Sequence, residues 1–311
     1  MSGEAAKTAF VTGATGLLGS ELVRLLVARG CQVFALARSP RSVERLRCLG
    51  AVPVAGDLRE TGRWQDEAAA EWVFHIPPYA AAHPRHCPFT SIPVTQGALD
   101  APLLDSVIPG ATRRVVYVAD ATFYDPAGPR PITEDELTCA RARRRGLTPA
   151  LDRLDGYAVA GLPIVTAIAG CIYGNGSWFR ERVIDPVMDG RRVMQFGRTA
   201  PHVSPIHVHD CARALIHLAE RGAVGSRYFI ADNEPIPLPE LARKFACAAN
   251  RSLRVRRLPA IAAGLLVDRW FAHAVRFDAA FSNIRLRGTG FRLLYPTLEY
   301  GLLQILEVLH E

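Results

Sequence analysis

Three glycines spaced three apart, Gly13, Gly16 and Gly19 in "FVTGATGLLGSELVRLL", lie between a short apolar run and an amphipathic one. Glycine at these positions permits a tight turn, close approach of the backbone to a pyrophosphate and close packing of the following helix. A helix starting there turns its free N–H groups and the positive end of its dipole toward phosphate. Thr15, Leu17 and Leu18 of the turn complete this candidate dinucleotide cradle. The next strand-like run closes with "FALARSP", which offers no carboxylate to accept from ribose hydroxyls. It presents Arg38 and Ser39, with Arg41 nearby, and these groups suit a 2′-phosphate, so NADP(H) is the expected cofactor.

Other candidate chemistry is weaker. His83, His86 and Cys87 in "HPRHC" fall in a region interrupted by two prolines, and His207, His209 and Asp210 stand in "HVHD"; no metal is expected at either. There is no G-x-S-x-G elbow for a hydrolytic serine. The run "ARARRRGL" (140–147) holds Arg141, Arg143, Arg144 and Arg145 but lacks interleaved aromatics and a recognition-helix pattern. It reads as a solvated face or as a contact for an acidic part of a large substrate, with no nucleic-acid partner expected.

The elements that must carry these residues come from a chain of 311 residues, 49% apolar and 22% charged, enough for one elaborated domain or two sharing a cleft. The net charge of +7 is almost entirely arginine, since Lys7 and Lys244 are the only lysines among 37 basic residues; a GC-rich genome produces such a ratio. Seven scattered cysteines with no C-x-x-C point to a reducing cytosol without disulfides. The N-terminus lacks a signal-peptide plan, and "LPAIAAGLLV" stops after ten residues at Asp268 and Arg269, so a soluble, cytoplasmic protein without a membrane span is expected.

Apolar runs alternate with helical ones: "TAFVTG", a helix from Gly16 to Arg29, "CQVFALA", a helix near 41–48, "AVPVAGD", "WVFHI", a helix over roughly 94–107, "RVVYVA" and "PIVTAIAG". Strands apolar throughout predict a parallel sheet covered by helices, an α/β Rossmann-type doubly wound fold. Beyond 175 the rhythm breaks, which predicts a smaller C-terminal substrate lobe. The expected division is a dinucleotide-binding domain at 1–174, joined by about 203–232, and a substrate lobe at 175–202 and 233–311. The proline-bounded, glycine-interrupted stretch 140–160 makes a poor dimerisation helix, which favours a monomer.

The glycine spacing, "GDL" (56–58), "VFHI" (73–76), "RRVVYVADATFYD" (113–125), "AGCIYGNG" (169–176) and "IHVHDCARAL" (206–215) recur in the order found in extended short-chain dehydrogenases/reductases, the relatives that include nucleotide-sugar epimerases and dehydratases. The chain resembles that family to about residue 235. The resemblance implies that Asp57, with Leu58, meets the adenine, that His75, Ile76, Pro77 and Pro78 line the cofactor along with Val118, and that Gly170, Cys171 and Ile172 flank the nicotinamide. It implies a substrate site in the aromatic segments, with Tyr79, Tyr173 and Trp178 as candidates.

The departures from the family matter more. The family's Tyr-x-x-x-Lys pair is absent, since neither lysine lies four residues after a tyrosine. The aligned positions fall near Ala142 and Gly146, inside the arginine run; the usual serine becomes Asp120, the usual helix asparagine becomes Val94, and the usual Arg-Pro becomes Ile168 and Ala169. Three readings stay open. In the first, the protein is an NADPH-dependent ketoreductase acting on a carbonyl of a bulky aromatic natural product in antibiotic biosynthesis, similar to atypical polyketide ketoreductases of angucyclinone-type aromatics. Its proton then comes from Asp120, Thr122 or Tyr124, from Tyr173 or His75, or from a phenol of the substrate beside the ketone. In the second, it is a non-catalytic NADP(H)-binding sensor, and in the third a nucleotide-sugar epimerase or dehydratase, whose chemistry needs the missing tyrosine.

Overall fold

The computed structural model describes residues 7–77, 100–120, 128–137, 149–197, 200–259 and 278–310, with Ala262 and Leu266. Its frame is a seven-stranded sheet of β1 (Thr8–Thr12), β2 (Gln32–Ala37), β3 (Val52–Ala55), β4 (Trp72–His75), β5 (Arg114–Asp120), β7 (Ile164–Ala169) and β12 (Arg227–Ile230), in the order β12-β7-β5-β4-β1-β2-β3. β1 pairs in parallel with β2 and β4, β2 with β3, and β4 with β5. Helices flank this parallel sheet, which is therefore the doubly wound Rossmann-type arrangement expected from the alternation of the sequence.

The strands are apolar on both faces because both are covered. Every residue of β4 and of β7 is buried. Helix α1 (Leu17–Ala28) buries Leu18, Leu22, Val23 and Leu26 on one stripe, the period that lays a helix on a sheet. Helix α2 (Pro40–Cys48) buries only Leu46 and keeps its arginines in solvent.

The chain forms two compact units. The first comprises 1–119, 139–168 and 212–228; the second comprises 120–138, 169–211 and 229–311. These bounds differ from those expected from the sequence, because 120–138, 169–174, 203–211 and 229–232 fall in the second unit. The reason lies in short pairings that no periodicity announces. In that unit β6 (Gly128–Ile132) pairs with β15 (Ala279–Phe281), and β8 (Cys171–Tyr173) with β11 (Pro205–His207). Likewise β9 (Arg192–Phe196) pairs with β14 (Arg254–Leu258), and β10 (His202–Val203) with β13 (Ile236–Pro237).

The core of the second unit gathers Tyr173, Phe179, Phe245, Leu302 and Ile305. They come from β8, a helical segment that runs from Ser177 through a π-helical turn to Met188, and two long helices, Leu238–Ala248 and Leu298–His310. Buried Asp210 accepts from the backbone N–H groups of Leu294 (3.0 Å) and Tyr295 (2.7 Å), anchoring the chain before the last helix. Among the described residues no helix is long and apolar enough to cross a membrane.

Candidate cofactor cradle

The turn after β1 is built to be bare. Gly13 has φ +67°, and a Cβ there would sit 2.3 Å from the carbonyl oxygen of Ile76. A Cβ at Gly19 would lie 2.2 Å from the Gly13 carbonyl oxygen and 2.7 Å from Ala14 Cα. Gly16 donates its N–H back to Gly13 (3.0 Å) and caps α1 with extended backbone and no side-chain bond. The first turn of α1 carries no acid, so its N–H groups and positive dipole end are left for an anion. Thr15 and Leu17 are half-buried at this opening, while the Leu18 side chain turns into the core and leaves only its backbone to the cradle. Gly13 and Gly19 let strand, turn and helix close on one another, and a pyrophosphate fits the helix start that this leaves exposed at Gly16.

At the end of β2, Ser39 caps α2, its Oγ accepting from Ser42 N–H (3.2 Å) and lying 2.9 Å from Ser42 Oγ. Arg38 and Arg41 are exposed, and no carboxylate of the described residues pairs with either. One helical turn beyond Arg41, Arg45 donates to Ser20 Oγ on α1 (3.3 Å). Arg45 escaped the sequence reading; its i,i+4 spacing from Arg41 was the available signal. This end of α2 therefore joins three guanidiniums and two hydroxyls, with no acid in the first turn.

Asp57 is spent partly on its own loop: its Oδ1 accepts from Arg59 N–H (3.0 Å), and its carbonyl from Glu60 N–H (3.2 Å). Leu58 is buried beside it. Gly56 lets the Trp64 ring close on this loop, since a Cβ there would stand 2.4 Å from the indole.

Beneath the cradle lies a polar network. Thr12, His75 and Tyr117 are register partners across β1, β4 and β5, so their side chains share a face of the sheet. Thr12 Oγ1 and His75 Nδ1 are 2.7 Å apart, His75 Nε2 lies 2.8 Å from Asp100 Oδ1, and Tyr117 donates to Asp100 Oδ2 at 2.8 Å. Asp100 lies on a helical stretch described over 100–104, and all four residues are buried. With the carboxylate accepting, His75 donates from Nε2 and pairs with the Thr12 hydroxyl through Nδ1. His75, a candidate proton source in the sequence, thus has both nitrogens committed in the core. Ile76 and Pro77 follow it, Ile76 against Gly13. Val118 is buried on β5.

In the second unit Gly170 approaches Ser204, where a Cβ would lie 2.2 Å from the carbonyl oxygen. Cys171 N–H donates to that same oxygen (2.7 Å), and burial pushes the Cys171 thiol up to about 12. Ile172 accepts from the Trp178 indole N–H (2.9 Å), and Trp178 lines a cavity. Tyr173 corrects an expectation. It is fully buried, its hydroxyl has no hydrogen-bond partner, and a Cβ on Gly301 would lie 2.0 Å from that oxygen. Burial, with the Asp232 carboxylate, raises its phenol far above the ordinary range. Tyr173 is a core residue, neither a substrate contact nor a proton donor, because an aromatic between two glycines reads the same from sequence whether it faces a ligand or the core.

Asp120 closes β5. Tyr79, Thr122, Tyr124, His83, His86, Cys87, Val94 and the run from Arg141 to Arg145 lie outside the described residues. Among the described residues no group of three or more His, Cys, Asp or Glu is disposed to hold a metal. His207 Nδ1 instead accepts from His209 N–H (3.3 Å), and its ring lies tilted against that of Tyr295 (centroids 4.3 Å).

Comparison with known proteins agrees with this arrangement. The model of the NAD dependent epimerase/dehydratase family matches residues 9–231. The chain is 30% identical over 247 residues to a 4-hydroxy-2-methyl-3-oxo-4-farnesyl-3,4-dihydroquinoline-1-oxide ketoreductase of Stigmatella aurantiaca, covering 74% of this chain and 69% of that one. In fold it is similar to the human epimerase family protein SDR39U1 with NADPH (TM-score 0.74, 20% identity, 96% and 99% of the two chains). It is similar also to MoeE5 in complex with UDP-glucuronic acid and NAD (TM-score 0.78, 22% identity, 97% and 99%). The chain belongs to the NAD-dependent epimerase/dehydratase family, within the extended short-chain dehydrogenases/reductases, and is an NAD(P)-dependent oxidoreductase or epimerase.

Proposed function

We propose that the protein is an NADP(H)-dependent ketoreductase acting on a carbonyl of a bulky aromatic natural product, with the proton supplied by a phenol of the substrate beside the ketone. The observation that carries the cofactor assignment is the end of β2: Arg38, Arg41 and Arg45 with Ser39 and Ser42, and no carboxylate at the strand end. A guanidinium set of this kind matches a dianionic 2′-phosphate, whereas a ribose diol asks for an acceptor. Gly13, Gly16 and Gly19 would hold the pyrophosphate; the bound cofactor supplies hydride. The Tyr-x-x-x-Lys pair that serves a sugar epimerase as its base has no counterpart in the sequence, where neither Lys7 nor Lys244 follows a tyrosine at that spacing.

The chemical step then needs positioning and a proton. Two side chains that could have given it are engaged elsewhere: Tyr173 is packed against Gly301, and His75 is held between Thr12 and Asp100. Tyr117 already gives its proton to the Asp100 bond. A substrate phenol next to the ketone leaves as a stabilised phenolate and needs none of them. The ketoreductase of Stigmatella aurantiaca supports ketone reduction as the activity.

The test compares NADPH and NADH by titration and by turnover, in the wild type and in Arg41→Ala and Arg45→Ala. Each variant is expected to weaken NADPH by about 10- to 100-fold, the value of a hydrogen bond to a charged group, and to leave NADH unchanged. Equal loss for both cofactors contradicts the 2′-phosphate assignment. NADPH binding without turnover of any ketone replaces the reductase with a sensor.

A further inference from the structure

The second unit holds a cavity of about 1110 Å³ whose wall combines flat apolar surface with positive charge. Trp178, Phe196, Met194 and Leu258 supply the first; Arg192 and Arg257 supply the second, with Arg182 and Arg191 also at the wall. Glu181 is the one carboxylate among the lining residues. Trp178 is fixed by its bond to the Ile172 carbonyl, so the indole face is a preformed platform.

Several arginines of this unit have acids: Arg130 with Glu136, Arg180 with Asp185, Arg243 with Glu240, Arg285 with Asp135. Arg191 is likewise held by Asp189 (2.8 Å). On the ribbon of β9 and β14, by contrast, Arg192, Arg254, Arg256 and Arg257 are exposed, and no carboxylate among the described residues pairs with any of them. Arg254 and Arg192 are direct register partners. Like charges opposite each other across paired strands oppose folding, and a bound anion relieves that repulsion.

We propose that this cavity binds an aromatic acid: a flat apolar body on the Trp178 side, its carboxylate or phosphate held by Arg192 on the face it shares with Met194 and Phe196, with Arg257 adding positive charge at the wall. The inference deepens the ketoreductase reading and rests on it for the aromatic class of substrate, to which it adds an acidic group. The apolar body is preferred to a nucleoside because Pro186, Pro201, Pro239 and Pro259 line the cavity. Proline has no N–H, and a nucleobase and ribose need many polar partners. Arg is suited to the anion by its bidentate fork and to the ring by stacking.

The test is calorimetric titration of the full chain, loaded with NADPH, with 1-naphthoate, 1-naphthyl phosphate, 1-naphthalenemethanol and UDP. Both acids are expected to bind at least about tenfold more tightly than the alcohol. That advantage should shrink as salt rises, disappear in the Arg192→Ala/Arg257→Ala double variant and persist in the double lysine variant. Equal binding of acid and alcohol, or an acid preference indifferent to salt, overturns the proposal; so does UDP binding more tightly than naphthyl phosphate. Should the double alanine variant fail to fold, the salt series on the wild type decides alone. Because calorimetry reads binding without turnover, acid binding with no reduction of any ketone keeps this site and removes the ketoreductase reading.

Discussion

Asp100 and Asp232 are both buried carboxylates, 3% and 2% exposed, one in each unit, and they live under opposite conditions. Asp100 receives His75 and Tyr117, one on each oxygen. Asp232 accepts the N–H of Glu234 on Oδ1 (3.0 Å), but its Oδ2 has no partner, and burial raises its pKa to about 8. Each acid has a tyrosine to match: Tyr117 donates to Asp100, while Tyr173 keeps an unpartnered hydroxyl. A satisfied buried network fixes backbone, here the strand ends beneath the glycine cradle, and an unsatisfied one stores an electrostatic penalty. Both acids are buried in the core, in keeping with a proton that comes from the substrate.

The largest test of this contrast is Asp100→Ala. It strands two buried donors at once and should cost about 3–5 kcal/mol in denaturant unfolding. A loss under about 1 kcal/mol would show that the network is not fixed as described.

Asp232→Asn should go the other way. An acid whose folded pKa lies above its unfolded one binds more protons when folded, so stability falls as pH rises from about 4 to about 8 and the penalty is full above that window. A rise of this size sets a ceiling of about 5 kcal/mol, and relaxation of the site brings the expectation to about 2 kcal/mol. The variant should therefore exceed the wild type at pH 8.5 and match it at pH 4 in paired unfolding curves. An identical pH dependence in the two proteins breaks the comparison.

The two tyrosines sharpen it at smaller scale. Tyr117→Phe leaves Asp100 Oδ2 without its donor and should cost about 1–3 kcal/mol, whereas Tyr173→Phe removes a hydroxyl that bonds nothing and should change stability by less than about 0.5 kcal/mol. Thermal melts of the pair side by side give the difference; equal costs would contradict the hydrogen-bond pattern.

What the sequence disclosed follows the same divide. Gly13 and Gly19 were legible because the backbone geometry leaves no room for a Cβ, and that demand writes itself into residue type at fixed spacing. The apolar strands were legible because both faces of the sheet are covered. Arg45 reaches Ser20 and Asp100 meets His75 each at a separation of 25 in the chain, so neither contact has a local signature. The pairings of β8 with β11 and of β10 with β13 involve strands of two or three residues, too short for periodicity to show. Tyr173 was misplaced because its neighbours in sequence are loop-like glycines while its neighbours in space are Phe179 and Gly301.

The central claim, reduction of a ketone without a protein tyrosine, is tested most directly with one matched pair of substrates. A hydroxyaryl ketone with its phenol adjacent to the carbonyl and the same ketone with that phenol O-methylated are each mixed with enzyme and NADPH, and loss of the reduced-nicotinamide absorbance is followed. The account predicts turnover of the phenol and a fall of at least about 100-fold for the methyl ether, the scale of one positioned proton transfer. Equal rates for the two would contradict it and return the proton to a side chain of the protein.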